Sequence, residues 1–538
     1  MKPDKKTELV ANWQTLQRIF IRPENEESGT ALFRYMEQIL FGLHDFLKQH
    51  VGITREASLK DLSDRFTDSR ISQNPSKKLA DVIKSIIEDI APHAVNVSSP
   101  YFIGHMTSAI PFFMVHLQTI MAALNQNPVK LETSKVVSVS ERQVLAKIHR
   151  LIYGFDDAFY DEHIQKPEST LGGFTDDGTL ANITALWTAR NVLFKPKDGF
   201  EGVEAQGMAA AYYAYNIRRT VIFVSQLGHY SLRKAGGILG IGKHNVLPIE
   251  VDRQNRINIS KLEASVREIQ KDAQTKILAI VGIAGATETG TVDPLPQIAD
   301  ICAEHGIHFH ADAAWGGPTL MSEKYRHLLS GIERADSVTI DGHKQFYMPM
   351  GCGMVYFKSP DIMDAIAYHA AYINRPGSVD LGIRSLEGSR AATSLVLNGA
   401  LEIMGRGGYA LLIEHGIETA KAFAEEIRKR PLFELTTPPE LNILTYRIFP
   451  ENMKKEWKTA NHQQKLEIND YLNHVNITVQ RFQREAGKSF VSRTTLRRRG
   501  CTDIVVLRSV LMNPMTDIKI LSEILDEQEK IYQQQFGV

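Results

Sequence analysis

The chain reads as an α/β protein: a mostly parallel sheet covered by helices on both faces, followed by a smaller α+β unit. Three observations carry that expectation. Between about residues 172 and 357, short apolar runs alternate with stretches of helical periodicity, the pattern of strand–helix units that build a parallel sheet. Two of those runs, Ile307 to Ala311 and Ser337 to Ile340, end in chemistry-bearing residues, Asp312 and then Asp341-Gly342-His343-Lys344. Open α/β sheets place ligands at the carboxyl ends of their strands. From about residue 405 the order changes to a helix from Ala410 to Arg428, strands near Leu441 to Phe449, a helix around Gln463 to Gln483, two strands and a last helix from Asp517.

The totals bound the class. At 538 residues the chain is too long for one compact layer and suggests two or three domains. Lys plus Arg and Asp plus Glu both number 62, which argues against nucleic acid as the main partner. Cys302, Cys352 and Cys501 are widely spaced, make no metal pattern and fit a reducing compartment. No apolar stretch reaches the 18 or so residues of a membrane span, and the N-terminus has no signal core. A cytoplasmic protein without membrane attachment is expected.

Taken in order, residues 1–95 form a charged N-terminal helical segment, with apolar positions at helical spacing in Ala31 to Val51 and Leu79 to Ile90. Residues 96–404 form the large unit and 405–538 the small one. The large unit opens with SSPYFIGHMTSAIPFF, a stretch of small and aromatic residues. Gly172 to Asn191 is a glycine-rich turn running into a helix, and backbone N–H groups at such a helix start can bind a phosphate. Apolar strands follow at Val221 to Ser225 and Lys276 to Ala286.

A lysine desolvated at a strand end becomes a Schiff-base nucleophile, and a carboxylate facing a pyridine nitrogen keeps that ring an electron sink. Either residue alone is more often a helix cap or a solvated charge. His308, His310 and Asp312 share one face of their strand and would form a possible metal set; no further ligand cluster stands near them, and a metal would leave the lysine unexplained.

The combination resembles the pyridoxal-phosphate-dependent group II amino-acid decarboxylases. Their pattern His-x-Asp-Ala-Ala-x-Gly-Gly, Ala-Asp-Ser-x-Thr-x-x-x-His-Lys and Pro-x-x-Cys-Gly appears as His310 to Gly317, Ala335 to Lys344 and Pro349 to Gly353. The resemblance covers most of the chain and implies an aspartate-aminotransferase-like fold of type I. It implies that Lys344 carries the cofactor, Asp312 faces its ring nitrogen, Ala314 packs on one ring face and His343 adjoins the lysine. The family's His-x-Ser-x-x-Lys matches from His229 through Ser231 and Lys234, so His229 would stack on the ring and take part in protonation. Thr287 matches a threonine beside the ring, with Ala286 departing from the threonine before it. The phosphate element is replaced here by Asp176 to Asn182, which leaves Gly178 and Thr179 as its expected contacts. Tyr372, in a long Asn/Arg/Pro/Gly-containing loop, is nearest to the family's proton-donating tyrosine.

On the substrate side, the resemblance points to Arg508, in VVLRSVLMNPMTD, as the partner of the α-carboxylate, and to His105 and Thr107 in the loop before the first large-unit helix. The segments SPYFIGHMTSAIPFF, NQNPVKLETS and EGSR look most like a bacterial group that converts aspartate to β-alanine for pantothenate. Glutamate decarboxylation is the close alternative, because one methylene is worth only about 1–3 kcal/mol in a pocket. A same-fold enzyme with another reaction type, or a catalytically silent scaffold, are the readings from other classes. The expected partners are a small amino acid and a second copy of the chain.

Overall fold

The computed structural model describes residues 26–48, 51–52, 59–369, 378, 380–497 and 503–537. Among them the large sheet comprises β1 (Gly172–Thr175), β2 (Arg219–Ser225), β3 (Val246–Ile249), β4 (Thr275–Ile283), β5 (His308–Asp312), β6 (Ser337–Asp341) and β7 (Gly353–Phe357). Their spatial order is β1-β7-β6-β5-β4-β2-β3. The central pairings are parallel, and β7 alone among these strands runs against its neighbours.

The helices that matter here are α1 (Phe112–Leu124), α2 (Val136–Tyr153), α3 (Gly178–Leu193), α4 (Tyr230–Ile238), α5 (Ile259–Gln270), α6 (Leu295–His305), α7 (Thr393–Lys429), α8 (His462–Ala486) and α9 (Ile518–Phe536). The near-continuous apolar runs of β2 and β4 follow from burial on both sides. Val221, Phe223 and Ile280 pack with α2, α5 and α6 on one face. Ile222, Val224, Ala279 and Val281 pack with α3 and α4 on the other. Each buried valine, isoleucine or phenylalanine among these contributes about 1.5–3 kcal/mol. Helix α7 is broken at Gly405, whose φ of 60° is one that a residue with a side chain rarely adopts.

The small unit is an antiparallel sheet of β8 (Phe433–Thr437), β9 (Ile443–Ile448), β10 (Ser492–Arg497) and β11 (Asp503–Val510), ordered β10-β11-β9-β8. The second half of α7 with α8 and α9 buries Phe423, Ile427, Val475 and Leu525 against Tyr446 and Leu507. The segment before α1 docks on this sheet: Ile103 N–H donates to the Phe490 carbonyl, and Val510 N–H to the Ile103 carbonyl. That docking carries residues 104–107 toward the carboxyl edge of the large sheet.

One expectation is corrected. Gly172 to Thr175 is not a turn but strand β1, paired with β7 from Gly172↔Tyr356 to Thr175↔Gly353. Two leading glycines hide the strand, because its partner lies far along the chain and supplies the apolar cover.

A buried histidine makes stability depend on pH. His149 Nε2–H donates to the Phe357 carbonyl at 3.0 Å, and Nδ1 accepts from the Tyr160 hydroxyl at 2.9 Å. Burial pushes its pKa from 6.5 down to about 4. The unfolded chain therefore binds a proton that the folded chain refuses between those values, so stability is lost as pH falls through that window, by up to roughly 3 kcal/mol. Urea midpoints measured between pH 7.5 and 4.5 should fall more steeply for the native chain than for His149→Gln; parallel curves would contradict this.

Candidate active site

Sequence local to each strand end decides which groups reach the carboxyl edge of the sheet. Asp312 ends β5 and Lys344 follows β6 in a tight turn. Thr287 follows β4, and His229 lies at the start of α4, its ring capping the helix by accepting from Ser231 N–H at 3.4 Å. These residues border one cavity of about 390 Å³, together with Ala314, Gly178, Thr179, His343, His105, Thr107 and Arg508. Tyr372 lies outside the described residues.

The lysine is not free in this site. Lys344 Nζ lies 2.9 Å from Asp341 Oδ2, and the two side chains are 20% and 3% exposed. Asp341 was not singled out from sequence, although its i, i+3 spacing to Lys344 was in view. Its other oxygen is buried without a hydrogen-bond partner. His343 Nδ1 accepts from Cys352 N–H at 3.3 Å, which leaves the Nε2 side facing Asp341 Oδ2 at 3.7 Å.

Asp312 accepts from Asn182 Nδ2 at 3.0 Å and from Ala314 N–H at 3.2 Å. Of the strand-mates once weighed as metal ligands, His308 and His310 both bond Ser337 Oγ, and His310 reaches Asn182 at 2.9 Å. No cluster of metal-holding groups occurs among the described residues.

The pair Asp176-Asp177 resolves in favour of a cap. Asp177 accepts from Leu180 N–H at 2.9 Å as the N-cap of α3, which turns that oxygen onto the helix. The N–H groups of Gly178 and Thr179 stand in the first turn, where a helix has no acceptor of its own. Gly178 is required by crowding, since a Cβ there would sit 2.8 Å from both Asp341 carboxylate oxygens. A helix N-terminus bordering the cavity, a lysine and a buried carboxylate fit a phosphorylated aldehyde with a basic ring nitrogen.

Arg508 is the other cation of the cavity. Its Nε donates to the Thr287 carbonyl at 2.6 Å and Nη1 to the Gly104 carbonyl at 3.2 Å, while Nη2 is buried without a partner. The guanidinium thus joins the small unit, the β4 loop and the loop before α1. Burial lowers its pKa to about 10, so it remains a cation at neutral pH. His105, 3.3 Å from Thr107 Oγ1, is held below its ordinary pKa by burial, then by Arg508 and Lys344.

Residues 63–449 match the family described as the pyridoxal-dependent decarboxylase conserved domain. The chain belongs to that family. This decarboxylase is 46% identical over 533 residues to an aspartate 1-decarboxylase of Aliivibrio fischeri, spanning 99% of this chain and 96% of that one. It is 31% identical over 365 residues to an L-aspartate decarboxylase of Metarhizium robertsii, covering 66% and 68% of the two chains. Its fold superposes on a crystal structure of mouse CSAD in apo form with a TM-score of 0.80 at 21% identity, covering 94% and 100%. The family's cofactor is pyridoxal phosphate, and the decarboxylase presents the groups to hold it.

Behind Lys344, the next residue is locked. Gln345 Nε2 donates to the Trp315 carbonyl at 2.8 Å, Asn442 Nδ2 donates to Gln345 Oε1 at 3.1 Å, and Trp315 Nε1 donates to Asn442 Oδ1 at 3.0 Å. This triangle ties the lysine turn to the small unit. Trp315 and Asn442 were not singled out from sequence, because nothing local marks their contact. Arg390, the arginine of the EGSR segment, forms a two-pronged pair with the fully buried Glu141 and braces the fold.

Proposed function

We propose that this decarboxylase acts on L-aspartate at its α-carbon, releasing CO2 and β-alanine. The observation that carries the amino-acid α-decarboxylase reading is Arg508, a buried cation with an unbonded Nη2 on the same cavity as Lys344. The choice of aspartate is supported by near-full-length likeness to an aspartate 1-decarboxylase.

In the proposed reaction the bond from Cα to its carboxylate breaks, the electron pair stays on Cα, and a proton takes the carboxyl's place. Pyridoxal phosphate, when bound, supplies a conjugated ring that accepts the pair. Lys344 would attach the cofactor, and Gly178, Thr179 and His343 would hold its phosphate end. Asp312 would keep the ring nitrogen protonated, and Ala314, His229 and Thr287, which line the same cavity, would pack around the ring. Arg508 fixes the α-carboxylate by charge-assisted hydrogen bonding, and His105 and Thr107 meet the rest of the substrate. His229 and Tyr372 are the proposed proton donors to Cα.

Product analysis of the cofactor-loaded enzyme, given aspartate and glutamate separately, tests the reading. β-Alanine with little γ-aminobutyrate is expected and fits supply of pantothenate in the cytoplasm. The reverse would make this a glutamate decarboxylase, and neither product would remove the reaction class.

The proposed assembly is a homodimer. Phe112, Ile120 and Leu124 on α1 and Val136 at the start of α2 expose half or more of their side chains, apolar surface that suits a subunit contact. Sedimentation equilibrium should return twice the chain's 60.4 kDa; a monomer mass at micromolar concentration would refute it.

A further inference from the structure

We infer that Asp312 fixes the tautomer of His229 through Asn182 and Ser231, so that His229 presents an N–H rather than a lone pair to the substrate cavity. The inference rests on the proposed place of His229 at the cofactor ring and assigns two positioning residues to it.

The direction of each hydrogen bond follows from its neighbour. Asp312 Oδ2, on an ionised carboxylate, can only accept, and Asn182 Nδ2 lies 3.0 Å from it. Turning the Asn182 amide over would set two acceptors against each other. The second Nδ2 hydrogen points at Ser231 Oγ, 3.1 Å away. A hydroxyl that accepts there keeps its own hydrogen, and His229 Nδ1 lies 2.8 Å away to receive it. The Ser231 backbone N–H converges on the same nitrogen at 3.4 Å. Two donors meeting at Nδ1 require a lone pair there, so the proton of the neutral ring resides on Nε2. The His229 ring has no other hydrogen bond among the described residues, and it borders the cavity.

A second arm holds the amide from behind. Asn182 Oδ1 accepts from His310 Nε2–H at 2.9 Å, and His310 Nδ1 accepts from the Ser337 hydroxyl at 2.9 Å. Ser337 in turn accepts from His308 Nε2–H at 2.8 Å. Burial keeps both His308 and His310 below their ordinary pKa, so each is a neutral ring with one N–H to give. Asn182 is therefore gripped by Asp312 on one side and by His310 on the other.

The device matters because His229 is held neutral. Burial lowers its pKa, against the pull of Asp312, Asp341 and Asp177 and with that of Lys344; the Tyr230 ring packs on it at 4.2 Å. A neutral imidazole in the wrong tautomer offers the reacting atoms an acceptor where a donor is needed. Which nitrogen carries the proton is set by the bond the other nitrogen makes, and mis-set tautomers are costly in catalysis.

Solid-state 15N NMR of the cofactor-loaded enzyme, labelled on histidine, tests this, with the His229 signals assigned by their loss in His229→Asn. The native enzyme is expected to show an unprotonated Nδ1 and a protonated Nε2. Ser231→Ala should convert this into a mixture of both tautomers, and Ser231→Thr, which keeps the hydroxyl, should restore one. A protonated Nδ1 in the native enzyme, or unmoved signals in Ser231→Ala, would overturn the inference. The readout is independent of turnover. The expected tautomer without decarboxylation would remove the functional reading alone, and a protonated Nδ1 in an active decarboxylase would remove this inference alone.

Discussion

Lys344→Ala is expected to lose covalent retention of pyridoxal phosphate and to reduce turnover to background. The amine is the nucleophile that binds the cofactor's aldehyde, and alanine has none to offer. Borohydride reduction followed by intact-mass measurement reads this directly: the native chain gains the mass of the reduced cofactor and the variant gains nothing. Retained mass or retained turnover would mean that another amine carries the cofactor. The cofactor-free variant should also be less stable. Lys344 neutralises Asp341, which is 3% exposed at 2.9 Å and already has one oxygen without a partner. Stranding a buried charge costs about 3–5 kcal/mol, and adding Asp341→Asn to Lys344→Ala should recover most of it in urea unfolding.

Arg508→Ala is expected to lower kcat/KM by roughly 30- to 5,000-fold, from about 2–5 kcal/mol for a truncated buried charge contact. Most of the loss should appear in KM if the guanidinium holds the substrate equally before and during reaction, and in kcat if it orients the bond that breaks. Arg508→Lys should not rescue activity. Lysine keeps the charge but carries it on one nitrogen, which cannot occupy both the Nε and Nη1 positions that brace the Thr287 and Gly104 carbonyls and the Nη2 position beside them. A kcat/KM within threefold of native in Arg508→Ala, with unchanged circular dichroism, would end the assignment of this residue to the substrate.

Much of the site was legible because its parts are short and local. Asp312 and Lys344 mark strand ends and His229 marks a helix start, and each lies inside a short motif whose resemblance to the family points to its role. Arg508 sits in an equally recognisable strand. The misses have a common cause. β1 was read as a turn because its apolar cover is β7, which pairs with it only in the folded chain. Asn182 and Ser231 looked like ordinary helix positions, 49 residues apart. Asn182 and Asp312, 130 residues apart, meet only because α3 begins at the edge of the sheet where β5 ends. Asp341 stood in plain view, yet pairing with Lys344 depends on how tightly the turn after β6 closes.

The alternation of strands and helices beyond β1 and the residues that end β5 and β6 were determined by sequence alone, while the roles proposed for Lys344, Asp312, His229 and Arg508 follow from motif resemblance. Periodicity and end signals act over a few residues and need no partner to be read. Tertiary structure decided which reactive groups face one another: the salt bridge beneath the lysine, the free edge of Arg508, the polar file behind Asp312 and the donor direction at His229. Those depend on distances of about 3 Å between groups far apart in the chain, and only the packing of two sheets and their helices sets such distances.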